Sequence, residues 1–173
     1  DFIHHNTLYT SEIKNPHPPQ LYRGMIDLTT LSYSHHELFA GGVEFPTYNI
    51  SHTGIKYNYG YMALHAYSAD TRHPATVYNS ILKYDFANKT HKIIKFDDNT
   101  EIGEPLFIAK INPQTEDDGY LVTYAYNNLD DTSDCIILQA NEDNKILARI
   151  KIGTRVPHGL HASWIYKKTT DGK

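Results

Sequence analysis

The chain has 173 residues, of which 40% are hydrophobic and 21% charged, enough for one domain with a sizeable core. Its formal net charge of -4, with Lys and Arg scattered, offers neither a basic stripe for nucleic acid nor a polybasic segment for an anionic membrane. A single cysteine, Cys135, excludes an internal disulfide and a thiolate metal cage, and no apolar run approaches the ~18 residues of a membrane span.

The opening stretch, DFIHHNTLYTSEIKNPHPPQ, begins at Asp1 and has neither the basic head nor the apolar stretch of a signal peptide. It reads as the interior of a longer protein, an extended segment closing in the Pro-rich turn NPHPPQ. Beyond it period-2 patterning dominates, and no window forms a convincing amphipathic helix. Fourteen tyrosines with many Ile, Val and Thr push the same way. Strands are predicted at Leu21–Asp27, Tyr59–Tyr67, Ser80–Asp85, Lys92–Phe96, Leu106–Ile111, Tyr120–Tyr126, Cys135–Gln139 and Leu147–Ile152. Turn chemistry lies between them at Ala87–Thr90, Asp97–Thr100, Thr115–Gly119 and Asn141–Asn144. Cys135 reads as a small buried hydrophobe in the strand CIIL. Tyr57, Tyr59 and Tyr61 alternate with Asn58 and Gly60, so on one strand all three rings share a face and pack between sheets.

A weak repeat of strand, polar turn and strand aligns on Asp27, Asp85 and Ala140, spacings of 58 and 55 residues. That is near the period of a four-stranded propeller blade, although a β-sandwich with regular hairpins would give much the same string.

Eleven histidines are present. His4, His5, His17, His35, His36, His73 and His91 lie in polar or turn-like surroundings and read as solvated surface, and His52 sits in a loop. His65, in YMALHAYS, faces either a core or a cavity. Zinc spacings, a P-loop, GxGxxG and the nucleophile elbow are all absent.

The segment Arg155–Trp164, RVPHGLHASW, is the most informative. Its Pro-x-Gly forbids a helix, so it is expected to run extended or as a bulged strand. On a strand His158 and His161 would point to opposite faces, with His161, among Leu160, Ala162 and Trp164, as the inward one.

Taken with VEFPTYN at Val43–Asn49, KYNYGY at Lys56–Tyr61, IGEPLF at Ile102–Phe107 and DDGYLVTYAYN at Asp117–Asn127, this segment resembles the carotenoid cleavage dioxygenase family. That family groups carotenoid, apocarotenoid and lignostilbene oxygenases, and the resemblance covers roughly Leu21–Ile165. It implies an all-β fold, with residues 1–173 forming the C-terminal part, about three blades, of a single seven-bladed β-propeller domain. It further implies a non-haem iron(II) held by four histidines, of which the match here is His161. The other three would lie upstream, so this chain would hold one ligand of four. Glu104 and Glu44 match carboxylates that fix the ligand histidines from behind, and Glu104 is the expected partner of His161, within about 2.6–3.2 Å. His158 falls at a variable position and receives no metal role. Ala162 stands where many members have Gly, and Arg155 reads as a structural donor.

The implied activity is cleavage of a C=C double bond by O2 to two carbonyl products. The implied partners are O2 and an elongated apolar conjugated molecule, a carotenoid, apocarotenoid or stilbenoid. Peripheral membrane contact by a full-length protein is compatible with this, and the compartment is left open with the cytoplasm as default. The competing expectation is an inactive propeller that holds an apolar ligand or partner without turnover.

Overall fold

The computed structural model describes residues 2–4, 19–66, 77–141 and 145–166. Among these described residues twelve strands form three antiparallel sheets, and one short 3₁₀ turn occupies Ile50–His52. The first sheet orders β1 (Phe2–His4), β2 (Gln20–Asp27) and β3 (Ser32–Phe39). The second orders β4 (Val43–Tyr48), β5 (Tyr59–Leu64), β6 (Ser80–Asp85) and β7 (Thr90–Lys95). In the third, β10 (Gly119–Asn127) and β11 (Thr132–Gln139) are central, and β12 (Ile146–Lys151) forms one edge. Its other edge is made by β8 (Thr100–Ile102) and β9 (Leu106–Ala109), end to end along β10.

The second sheet lies between the other two, and its strands show why. β5 and β6 are buried on both faces, with alternate residues facing different cores. Tyr61, Ala63 and Ile81 join Leu121, Ala125, Ile136 and Leu138 of the third sheet. Met62, Leu64 and Leu82 join Leu21 of the first. Truncating a side chain such as Leu82, fully buried, to Ala would cost about 2–5 kcal/mol.

Edge strands β1 and β9 each approach β4, so the three sheets meet along their inner edges, with β4 in the middle. The aligned hairpins are β2–β3, β6–β7 and β11–β12, the outermost pair of each sheet. Two of them close on the same device. An aspartate oxygen accepts backbone N–H groups two and three residues on, Asp27 from Thr29 and Thr30 and Asp85 from Ala87 and Asn88. The last turn residue, Leu31 or Lys89, is left-handed, with φ of 53° and 55°.

Four strands exceed the predicted set. β1 and β8 have only three residues each, β3 carries a polar, largely exposed string, and β4 contains Pro46, all of which weaken a strand signal. Tyr57 does not join Tyr59 and Tyr61, because β5 starts only at Tyr59; its ring packs on Tyr48 and Phe86 instead. Cys135 is half-buried, and burial raises its thiol pKa. His5, His17, His73 and most of the turns NPHPPQ and NEDN lie outside the described residues. Among the described residues no helix is long and apolar enough to cross a membrane.

Candidate functional site

Both acids singled out from sequence sit at interruptions of an inner strand. Along β4, Glu44 pairs with Ala63 and Thr47 with Tyr61, so Phe45 and Pro46 together oppose Met62 alone. Along the third sheet, Ile102 pairs with Ala125 and Leu106 with Val122, so Gly103, Glu104 and Pro105 oppose two residues. Each is a bulge with one extra residue, and each contains a proline, which has no N–H to give a ladder. A bulge turns its side chains away from the regular alternation. Glu104 lies within the second bulge, and Glu44 immediately precedes the first. The two bulges are tied together, since Thr47 Oγ1 donates to the Pro105 carbonyl at 2.6 Å. Phe45, within the first bulge, is left-handed at φ 55°. Its own N–H donates to Glu44 Oε2 at 3.2 Å.

Residues 155–166 form no strand and make no ladder, contrary to the sequence expectation. Pro157 removes a donor, and after the left-handed Gly153, φ 75°, the last backbone bond to β11 is the one from the Ser133 N–H to the Thr154 carbonyl. The segment instead crosses the end of the third sheet as a strap pinned by side chains. The Val156 N–H donates to Ser133 Oγ on β11 at 2.9 Å. Arg155 lies over the Tyr126 ring on β10, 4.9 Å from its centroid. His158 Nε2 is 2.9 Å from Glu101 on β8. Finally the Ala162 N–H donates to Glu104 Oε2 at 2.5 Å, while His161 Nδ1 stands 3.5 Å from Oε1.

His161 thus meets Glu104, at a longer distance than expected, and its ring packs edge-on to Phe45 of the neighbouring sheet, 5.8 Å between centroids. It is not buried. Its side chain is 78% exposed whereas that of Glu104 is 9% exposed, so the carboxylate is the anchored partner and the imidazole the presented one. The inward–outward assignment of the two histidines fails for a plain reason. Without a ladder there is no two-residue alternation, and both are exposed on the same strap. Glu44 lies on β4 beside Phe45, and Glu101, Phe45 and Ser133 complete the surroundings without having been foreseen. One signal for Glu101 was available: it precedes Glu104 by the same three residues that separate His158 from His161.

An imidazole backed by a carboxylate at Nδ1 is oriented and keeps Nε2 for a metal. That fits one place in a site built from several histidines. Among the described residues no three His, Cys, Asp or Glu side chains gather to hold an ion.

A family model described as retinal pigment epithelial membrane protein matches residues 2–166. The apocarotenoid-15,15'-oxygenase of Synechocystis sp. is 28% identical over 156 residues, 90% of this chain and 31% of its own length. Resveratrol cleavage oxygenase 1 of Aspergillus fumigatus is 31% identical over 90 residues, 51% of this chain and 18% of its own. The structure of cobalt-substituted Synechocystis apocarotenoid oxygenase superposes with a TM-score of 0.84 at 27% identity, covering 95% of this chain and 36% of that one. The three sheets are therefore blades of a partial β-propeller, and the chain spans about a third of the length of these two Synechocystis matches.

Proposed function

Given that the chain belongs to the family of the retinal pigment epithelial membrane protein and the carotenoid oxygenases, we propose that it is the C-terminal part of an iron(II)-dependent dioxygenase. The whole protein would use O2 to cleave a C=C bond of an elongated conjugated substrate, a carotenoid, apocarotenoid or stilbenoid. Relatives named for apocarotenoid and resveratrol cleavage support that substrate range. The observation that carries the reading is the clamp on Glu104, one oxygen taken by the Ala162 N–H and the other facing the His161 ring.

In this reading His161 supplies one imidazole ligand, and Glu104 sets its ring plane. Glu44, on the neighbouring inner strand, would do the same for a ligand histidine outside this chain. Bound iron(II) would supply the O2-activating chemistry. A relative prepared in a cobalt-substituted form is consistent with a divalent-metal centre. Phe45, against the His161 ring, would keep water from one side of it. Peripheral contact with a membrane, where apolar substrates reside, belongs to the same reading.

The test uses the complete protein, with metal content measured per chain and 18O followed from O2 into carbonyl products. Wild type should retain about one iron and label its products; His161→Ala should lose both. A His161→Ala protein that keeps its iron would remove the ligand assignment. A metal-free wild type that binds a carotenoid without cleaving it would favour the inactive binding propeller.

A further inference from the structure

Few contacts hold the strap in place, chiefly those of Arg155 and His158 on Tyr126 and of His161 on Phe45. Between Val156 and its end every described strap residue is exposed, and a Cβ added at Gly159 would meet no atom within 4 Å. A cavity of about 170 Å³ separates the strap from the sheet beneath, with Tyr124, Tyr126 and Ser133 in its floor. Its position must therefore come from point contacts. Holding an extended backbone still costs conformational entropy at every residue, so the length of free chain between contacts decides how well its far end is placed.

We propose that Glu101 and His158 are positioning residues, a pin in the middle of the strap that sets where His161 is presented; this rests on the reading of His161 as a metal ligand. The two pairs, Glu101 with His158 and Glu104 with His161, are each 57 residues apart, so strap and inner strand run in the same direction in step. The inner pair is the better made. His158 Nε2 reaches Glu101 Oε2 at 2.9 Å, and the Glu101 side chain is only 14% exposed, within a strand paired to β10. The edge of the Tyr126 ring closes against the imidazole at 5.9 Å between centroids, and Arg155 covers that ring. Without this pin the strap would hang free from Val156 to His161, through Pro157 and Gly159. The 3.5 Å contact of His161 is too long to place the ring by itself.

The complete protein is compared as Glu101→Ala, His158→Ala, the double variant, and the exchanged pair Glu101→His with His158→Glu. Hydrogen exchange of the 155–164 amides is read beside iron affinity. Each single variant should speed exchange at Ala162 and weaken iron retention on the order of 10-fold, the low end for groups that support a ligand. The double variant should be no worse than either single one, and the exchanged pair should recover most of both readings. Glu101→Gln, an isostere that keeps an acceptor, should fall between and covers the case where Glu101→Ala unfolds. Unchanged strap exchange in the single variants, or losses that multiply in the double variant, would overturn the pin. Retention of iron by His161→Ala would instead remove the ligand reading and leave the pin to be judged on exchange alone.

Discussion

The acidic turn Glu116–Asp118 and the bulge at Glu104 both set carboxylates between the second and third sheets, yet they use their oxygens differently. Glu116 accepts from the Asn58 N–H, the Asn58 amide and the Tyr59 N–H, all at 2.7–2.9 Å. Asp117 takes the Lys83 ammonium at 2.6 Å, and Asp118 takes Lys110 at 2.7 Å and the Gln114 N–H at 3.1 Å. Those donors belong to the sheets or the turn itself, so the turn welds the start of β5 to the third sheet. Glu104 meets instead a strap that has no other secondary structure, and one of its oxygens faces an exposed imidazole. A carboxylate saturated by the scaffold stabilises the fold. In the proposed reading, one that ends on a presented histidine orients chemistry.

That contrast can be broken at either side. The largest effect is expected at the weld. Lys83 and Asp117 are each 11% exposed, so Lys83→Met strands a nearly buried carboxylate and should cost about 3–5 kcal/mol in urea unfolding of the complete protein. Adding Asp117→Leu should return much of it; a loss that persists in the double variant would mean the ion pair is not what the weld depends on. At the site the balance should invert. Glu104→Gln should lower iron affinity or turnover about 10- to 100-fold while moving the unfolding midpoint little. A large stability loss with normal metal content would place Glu104 with the weld.

The acid limb of stability separates the two regions more gently. The bond from Lys110, then that from the Gln114 N–H, hold the Asp118 pKa below its ordinary value. Its contribution is therefore complete above the unfolded value of about 3.9 and disappears as pH falls through the lower folded value. Asp118→Asn should be less stable than wild type near neutrality, with the gap closing below about pH 4 in pH-dependent unfolding curves. A constant gap would assign the loss to geometry and not to charge.

The smallest effect compares two left-handed residues. Leu31, φ 53° and 84% exposed, closes a hairpin and touches nothing that needs its side chain. Leu31→Gly should stabilise by about 0.5 kcal/mol, the relief of left-handed strain less the entropy of glycine. Phe45→Gly relieves the same angle but removes the ring between His161 and Tyr78, so it should destabilise and loosen the strap. Equal responses by thermal melting would deny the Phe45 ring any special place.

Much of the fold was legible because β10 buries alternate residues, a period that survives in one dimension, and because β5 and β6, buried on both faces, read as apolar runs bounded by turns. The Asx-closed hairpins at Asp27 and Asp85 were legible for a similar reason, since each turn is closed by contacts three residues long. The pairing of Glu104 with the strap came from a family resemblance and not from the spacing of residues. TEDDG read as a turn, and nothing within it announced that Glu116 would cap the start of a strand 57 residues earlier.

By itself, then, the sequence determined the strands, their polar turns, and the acids and histidines on offer. Only the tertiary structure decided that two proline-bearing bulges would lie side by side at the inner edge, joined through Thr47 and Pro105. It also decided that RVPHGLHASW would be a pinned strap and not a strand. A strand needs a neighbour with free N–H and C=O groups in register, and the presence of that neighbour is a property of the folded chain. Where it is missing, the side chains that happen to line the path, Ser133, Tyr126, Glu101 and Glu104, set the course.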